Sequence, residues 1–195
     1  MTGSRRSRVR RCIHALRAML LSFVLLPGVI APAVAAAPDD VVSVEALDIT
    51  RYAGEWHEIA RLPMFFQRKC KDEVTAQYTL RDDAMVGVVN RCRTEDGDLL
   101  EAEGVARRDP AHAGQLQVRF APDWLSWLPL TWADYWVIAL DPDYQWAMVG
   151  EPGREYLWIL SRTPDMDRAR FEALKARAEA MGYDLAPLIT SGPLR

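Results

Sequence analysis

The sequence predicts an all-β protein, an eight-stranded antiparallel up-and-down β-barrel with a C-terminal α-helix packed outside it. Three observations predict this fold: eight short runs rich in β-branched and aromatic residues, hairpin-length turns between most of them, and one amphipathic segment after the last run. The 195 residues, half of them hydrophobic, suit one globular domain. A two-sheet sandwich is the structural alternative, because it would show the same alternation of strands and turns.

Residues 1–35 are predicted to form a secretory signal peptide. Basic residues precede an almost uncharged apolar run that ends in a series of small residues. We expect cleavage after Ala35, with Ala37 as the alternative site, which leaves a domain at 38–190 and a short C-terminal tail at 191–195. A permanent transmembrane anchor is the competing interpretation of the apolar run.

Cleavage makes the mature chain strongly acidic. Six of the 24 basic residues lie before the cleavage site and none of the 27 acidic residues does, so the mature net charge is about −9. An acidic chain without a basic stripe is a poor candidate for nucleic-acid binding. The sequence therefore predicts an exported, acidic domain that does not bind nucleic acid.

The eight runs are the predicted β-strands, and alternation divides each of them into an inward and an outward face. With Trp56 inside the barrel, Glu58, Ala60 and Leu62 share its face. The inward face of the seventh strand is left open between two pairs, Trp146 with Met148 and Ala147 with Val149. The runs are 56–62, 74–80, 85–92, 99–107, 115–120, 135–140, 145–149 and 156–162.

One segment after the strands has helical periodicity. Its apolar residues recur at intervals of three and four from Phe171 to Met181, with charged residues between them. Pro164 suits the first helical turn and Gly182 suits the C-terminal cap. We therefore expect a helix that begins at Pro164 and ends before Gly182.

The mature chain keeps two of the three cysteines, because Cys12 is lost with the signal peptide. In an oxidising compartment Cys70 and Cys92 most simply form one disulfide. The alternative is that one of them is a nucleophilic or redox thiol. No cysteine directly follows the apolar run, so the sequence lacks the residue that a lipid anchor would need.

The mature sequence carries no recognisable catalytic or metal-binding motif. Gly-x-Ser-x-Gly, a Gly-rich phosphate loop and His-Glu-x-x-His are all absent. His57 and His112 are the remaining histidines, and neither has a cluster of metal-ligating residues near it in the sequence. We therefore expect no enzymatic activity and no metal or other cofactor.

Two motifs mark the first and the last strand, Gly54-x-Trp56 and the Ser-Arg-Thr-Pro sequence at 161–164. With these residues the sequence resembles the lipocalins, most closely their bacterial outer-membrane lipoprotein and apolipoprotein D-like branches. The resemblance covers nearly the whole mature chain. It implies that Trp56 packs inside the closed end of the barrel with the guanidinium of Arg162 across its ring, a structural contact.

The resemblance also implies a small hydrophobic ligand in the barrel, with a fatty acid or a lysophospholipid as the expected class. The protein would store or transport it in the cell envelope, in the periplasm or peripherally at the outer membrane. Tyr78, Asn90 and Tyr135 would supply polar groups and the other positions an apolar wall. The pocket positions that match the family are Tyr78, Asn90, Leu116, Val118, Phe120, Tyr135 and Trp158.

The connector between the fifth and sixth predicted strands is rich in tryptophan. Trp124, Trp127 and Trp132 lie there together with three leucines, which is unusual for a solvated loop. We expect this segment to fold over the barrel, and we hypothesise that part of it contacts a membrane surface or a second copy in a homodimer.

Two other functions remain open. The first is an enzyme on the same scaffold, which requires Cys70 or Cys92 as a free thiol facing the cavity. The second is a carrier of haem or another pigment, which the poor supply of histidines disfavours.

Overall fold

The computed structural model describes residues 40–121 and 131–195, so the predicted signal peptide and most of the tryptophan-rich connector lie outside the described residues. All eight predicted strands are confirmed. They are β1 Gly54–Arg61, β2 Asp72–Leu80, β3 Val86–Arg93, β4 Leu99–Arg108, β5 Gln115–Arg119, β6 Ala133–Leu140, β7 Trp146–Gly150 and β8 Leu157–Ser161. The remaining elements are helix α1 Ile49–Tyr52, a 3-10 helix Phe65–Gln67, helix α2 Arg168–Ala180 and strand β9 Ile189–Thr190.

The sheet closes on itself through β1. Each strand from β2 to β7 pairs antiparallel with its successor, and β1 pairs with both β8 and β2, with Trp56 opposite Ala76. This closure gives an eight-stranded barrel and excludes the two-sheet sandwich. In its second half, β1 pairs with β9 in place of β2 and keeps its pairing with β8. Strand β9 is not among the predicted strands.

The barrel has two different ends. What we call the closed end holds α1 and the turns at 81–85, 109–114 and 141–145. What we call the open end is where β5 ends and β6 begins, and it holds the connections at 62–71, 94–98 and 151–156.

A β-bulge in β1 changes which of its side chains face inward. The register with β8 shifts between Glu58 and Ala60, so the simple alternation ends there. Beyond the bulge, Arg61 lies on the side of Glu58, because its guanidinium donates to the Glu58 carboxylate. Ala60 and Leu62 pack instead in the core beneath helix α2. The prediction that these two residues face inward is therefore wrong.

The apolar residues form two cores on either side of the sheet. One core lines the barrel interior, and the other lies between the barrel wall and α2. Ala147 and Val149 belong to the interior core, whereas Met148 is in the outer core and Trp146 packs against it. The inward face of β7 is thus the pair Ala147 and Val149.

Helix α2 begins four residues later than the sequence predicts. The side chain of Asp167 caps it by accepting a hydrogen bond from the backbone N–H of Arg170. Pro164 cannot start the helix, because the backbone of Met166 is already paired with the chain terminus at Leu194. The end of the helix matches the prediction, since Gly182 follows it with a φ of +83°. None of the helices formed by the described residues is long and apolar enough to cross a bilayer.

The tail at 191–195 is attached to the barrel. The backbone N–H groups of Ser191 and Gly192 both donate to the carbonyl of Ile59, opposite the bulge. Arg195 exchanges backbone hydrogen bonds with Met166 and Arg168, just before α2. These contacts hold the chain terminus against the wall of the barrel.

Candidate functional site

Arg162 and Trp56 close one end of the barrel, as the family resemblance implies. The guanidinium carbon of Arg162 lies 3.8 Å from the centroid of the Trp56 ring, which is fully buried. The indole N–H of Trp56 donates to the carbonyl of Tyr52 at 2.8 Å. Gly54 is required beside them, since its φ is +102° and a Cβ there would meet Nη1 of Arg162 at 3.1 Å.

The same guanidinium bonds the carbonyls where α1 joins β1. Arg162 donates to Arg51, Tyr52, Ala53 and Glu55 at 2.7–3.1 Å. Burial lowers the pKa of Arg162, although an arginine remains charged. The hydrogen-bond donors of Arg162 are therefore used by backbone carbonyls, and the residue has a structural role.

Three buried tyrosines meet inside the barrel. The Tyr135 hydroxyl lies 2.7 Å from that of Tyr52 and 2.8 Å from that of Tyr78. Tyr135 and Tyr78 are predicted pocket residues, whereas Tyr52 comes from α1 and is not among them. We call these residues the tyrosine trio.

Burial keeps the tyrosine trio neutral. It raises the pKa of Tyr78 to about 12, and it raises the pKa values of Tyr52 and Tyr135 well above the ordinary value for tyrosine. The trio therefore offers neutral hydroxyls at physiological pH. Two hydrogen bonds join three hydroxyls, so one hydroxyl hydrogen has no acceptor within the trio.

Asn90 supplies the complementary group. It pairs with Ala76 on β2 and lies one inward position nearer the open end than Val88, the partner of Tyr78. Its Oδ1 atom is buried and accepts no hydrogen bond within the described part of the chain. A buried acceptor without a partner is unfavourable and is rare in folded proteins. The barrel interior therefore presents an acceptor to a donor from a ligand or from water.

The apolar positions predicted for the pocket differ in depth. Leu116 is buried in the interior core and Val118 is half-buried against it. Phe120 lies just beyond the end of β5 and is 44% exposed. Its ring packs against Gly104, where a Cβ would lie only 2.7 Å from it. It therefore belongs to the rim of the open end, and the deeper wall comes from the other two residues.

Trp158 connects the interior to the loop at the open end. Its indole N–H donates to Gln67 Oε1 at 3.0 Å, and Gln67 donates in turn to the carboxylate of Glu58. Glu58 also accepts from Arg61 at 2.5 Å, and both of these charged residues are only 4% exposed. This buried ion pair, together with Gln67, fixes the 62–71 connection over the barrel.

Cys70 and Cys92 form a disulfide. It ties the 62–71 connection to the end of β3, so the disulfide prediction is confirmed. A thiol nucleophile at either position would require reduction of this bond.

Trp132 is the one tryptophan of the connector that is described. It lies outside the barrel, where its ring is 4.3 Å from the guanidinium carbon of Arg107 and 4.9 Å from that of Arg119. Trp124 and Trp127 lie outside the described residues. Across residues 40–121 and 131–195, no three His, Cys, Asp or Glu side chains gather in a way that could hold a metal ion.

Comparison with known proteins identifies the family. The model of the lipocalin-like domain matches residues 47–193. The chain belongs to the lipocalin family. Lipocalins bind small hydrophobic ligands, and the closed barrel described above is the part of the fold that encloses them.

Three curated relatives illustrate the branch. Temperature-induced lipocalin-1 of Arabidopsis thaliana is 41% identical over 148 residues, 74% of this chain and 78% of the relative. Outer membrane lipoprotein Blc of Citrobacter freundii is 38% identical and is aligned over 78% of this chain and 82% of its own length. Apolipoprotein D of Rattus norvegicus is 28% identical over 75% of this chain and 77% of its own.

Solved structures agree on the fold. Insecticyanin from the tobacco hornworm Manduca sexta superposes with a TM-score of 0.58 at 21% identity, covering 82% of this chain and 92% of its own. At this identity the likeness extends to the barrel and not to the ligand.

Proposed function

We propose that this lipocalin binds a single-chain lipid in its barrel, within the cell envelope, and stores or transports it. The observation that carries the proposal is the interior itself, an apolar wall interrupted by the tyrosine trio and by the unpartnered Oδ1 of Asn90. Such a mixture suits a long apolar ligand with a few polar atoms. The relatives named apolipoprotein and outer membrane lipoprotein support a lipid ligand in an envelope compartment.

Hydrogen-bond capacity favours a lysophospholipid over a fatty acid. The interior has one spare donor in the tyrosine trio and one spare acceptor at Asn90. A carboxylate can accept from the tyrosine trio and from Nδ2 of Asn90 but leaves the Asn90 oxygen unpartnered, whereas a glycerol hydroxyl can both accept and donate. The phosphate is attached to the carbon next to the one that bears the hydroxyl, so we expect it to lie just to the open-end side of Asn90, away from the neutral tyrosine trio.

A matched pair of ligands tests this proposal. Affinities for a fatty acid and a lysophospholipid of equal chain length are measured by displacement of a fluorescent fatty acid. Asn90→Leu is expected to weaken lysophospholipid binding about fivefold, the equivalent of one hydrogen bond, and to weaken fatty-acid binding less. Equal losses of affinity for the two ligands would contradict the role assigned to Asn90.

Two further variants test the pocket. Ala76→Trp fills the interior beside Trp56, and Trp158→Ala removes wall near the open end. Both are expected to weaken binding of either lipid, with Ala76→Trp the stronger. Undiminished binding in both variants would contradict a ligand site in the barrel.

We further propose that the protein is exported to the periplasm without an acyl anchor and has no catalytic activity. The disulfide supports the absence of a thiol nucleophile. Thiol titration under denaturing, non-reducing conditions is expected to find none in the mature protein. One or two free thiols would favour the cysteine enzyme.

The connector remains a proposed contact with a membrane or with a second copy. Trp132 is half-buried against two arginines, so the proposal rests on Trp124 and Trp127. Co-sedimentation with liposomes and sedimentation velocity are expected to separate Trp124→Ser/Trp127→Ser from wild type. Identical behaviour in both assays would refute this role.

A further inference from the structure

Exposed apolar side chains concentrate at the open end. Of the eight large hydrophobic residues that are exposed in the described part of the chain, six lie there: Phe65, Phe66, Leu99, Leu100, Phe120 and Ile189. Phe65 is 73% exposed and Phe66 is 53% exposed, adjacent to each other in the 3-10 helix. Neighbouring exposed aromatic residues on a folded domain indicate a contact surface.

Basic residues follow these phenylalanines directly. The segment at 63–71 contains Arg68, Lys69 and Lys71 and no acidic residue. Lys71 pairs with Glu95, whereas the structure shows no carboxylate within ion-pair distance of Arg68 or Lys69 among the described residues. The 63–71 segment is therefore positively charged, whereas the mature chain as a whole has a net charge of about −9.

The loop is held in place. The 3-10 helix is anchored by Gln67, which bonds Glu58 and Trp158, and the disulfide at Cys70 anchors the far side. Phe65 and Phe66 therefore project from a fixed support, and little ordering entropy remains to be lost when they contact a surface.

An aromatic path leads from this loop into the barrel. The Phe66 ring lies 5.8 Å from that of Tyr156, which stacks on Trp158 at 6.2 Å. The Trp158 ring is in turn 6.4 Å from Tyr135 of the tyrosine trio. A lipid that enters at Phe66 thus meets apolar ring surface along the whole path.

We propose that the 63–71 loop docks the open end of the barrel onto an anionic phospholipid bilayer. Phe65 and Phe66 enter the interface, Arg68 and Lys69 contact the anionic headgroups, and the ligand passes along the aromatic path between bilayer and barrel. The acidic turn at 94–98 lies at the same end, where Glu95 pairs with Lys71, so Arg68 and Lys69 are the basic side chains left for the anionic headgroups. Charges more than about 8 Å from the surface are screened at physiological salt. Basic side chains near an anionic leaflet and interfacial aromatic residues act together in peripheral binding.

The test is flotation of the mature protein with two kinds of vesicle, pure phosphatidylcholine and a 7:3 mixture of phosphatidylcholine with phosphatidylglycerol. Wild type is expected to float with the mixed vesicles only and to lose binding at 0.5 M salt. Arg68→Gln/Lys69→Gln is expected to bind about 25-fold more weakly, about fivefold for each basic side chain. Phe65→Ser/Phe66→Ser is expected to lose binding as well, whereas Phe65→Leu/Phe66→Leu retains most of it.

Control variants carry the same kinds of substitution outside the 63–71 loop. Leu80→Ser replaces an exposed apolar residue at the closed end, and Arg108→Gln/Arg168→Gln removes two exposed positive charges. Both are expected to bind like wild type. Solution affinity for a lysophospholipid, measured without vesicles, should be unchanged in the loop variants, which separates docking from ligand binding.

Three outcomes would overturn the proposal. The first is absence of wild-type binding to the mixed vesicles, and the second is equal loss in the loop variants and the controls. The third is a stable dimer of the wild type that Phe65→Ser/Phe66→Ser dissociates, because the loop would then be an interface between copies of this chain.

Discussion

Arg162→Ala is predicted to destabilise the barrel by about 2–5 kcal/mol without changing ligand affinity. Its guanidinium lies on the Trp56 ring, a cation–π contact that contributes about 0.5–2 kcal/mol. Hydrogen bonds from charged groups contribute about 1.5–3 kcal/mol each, but only where water cannot replace them. The carbonyls of Arg51 and Glu55 are exposed and regain water, so they count for little.

The remaining acceptors set the magnitude. The carbonyl of Tyr52 keeps the Trp56 indole as a donor when the guanidinium is removed. Part-buried Ala53 loses its donor at 3.0 Å, and Tyr144 loses a longer bond at 3.3 Å. One full hydrogen bond and one cation–π contact therefore account for the predicted loss.

Urea unfolding followed by far-UV circular dichroism measures this loss at pH 7. The midpoint is expected to fall with an unchanged slope, and Arg162→Lys should recover only part of the stability, because lysine lacks the planar fork that reaches several carbonyls. Lysophospholipid affinity, measured well below the melting temperature, should equal that of wild type. A change in unfolding free energy below about 0.5 kcal/mol, or a loss of affinity without loss of stability, would refute the structural role.

Three other changes follow from the same structure. Replacing Cys70 and Cys92 by alanine is expected to reduce the unfolding free energy by about 3 kcal/mol in the loop-entropy model, measured by urea unfolding; wild type with reductant should match the variant. Because burial raises the pKa values of the tyrosine trio in the folded state, stability should be fully present below the pKa of an unfolded tyrosine near pH 10. It should then fall as pH rises towards 12, by about 1.4 kcal/mol per pH unit for each tyrosine, and absorbance at 295 nm should show these phenolates appearing only with unfolding. Arg61→Met leaves the buried Glu58 carboxylate without its cation and should cost about 3–5 kcal/mol, whereas the double change to methionine at both positions should cost less; equal losses would contradict the ion-pair account.

Alternation and turn chemistry were sufficient to predict the strands, because each strand has one buried face. The same rule fails where the register shifts. At the bulge in β1, Ala60 moves to the outer core and Arg61 takes the inward position, and a shift in β6 puts both Ile138 and Ala139 in the outer core. A bulge leaves no mark in residue types alone, since it depends on pairing with β8 and β9. The late start of α2 has a similar cause, because Met166 pairs with the chain terminus before Asp167 caps the helix.

The candidate site was predicted in part. Resemblance placed Tyr78, Tyr135 and Asn90 together, and the structure brings two of them into one cluster. Tyr52 was missed because α1 is a single turn with no periodicity of its own, and Gln67 because its partners are distant in sequence. Both residues act through tertiary contacts that no local pattern reports.

The central claim is that the barrel encloses a single-chain lipid, and native mass spectrometry of the mature protein tests it most directly. The protein is purified from the periplasm without detergent, and bound material is extracted and identified. We predict one lipid per chain, with a protein mass that matches cleavage near Ala35 and an oxidised cysteine pair, and no retained lipid in Ala76→Trp. A wild-type protein that stays empty even after incubation with lysophospholipid and fatty acid, or an Ala76→Trp variant that retains the same lipid, would contradict the account.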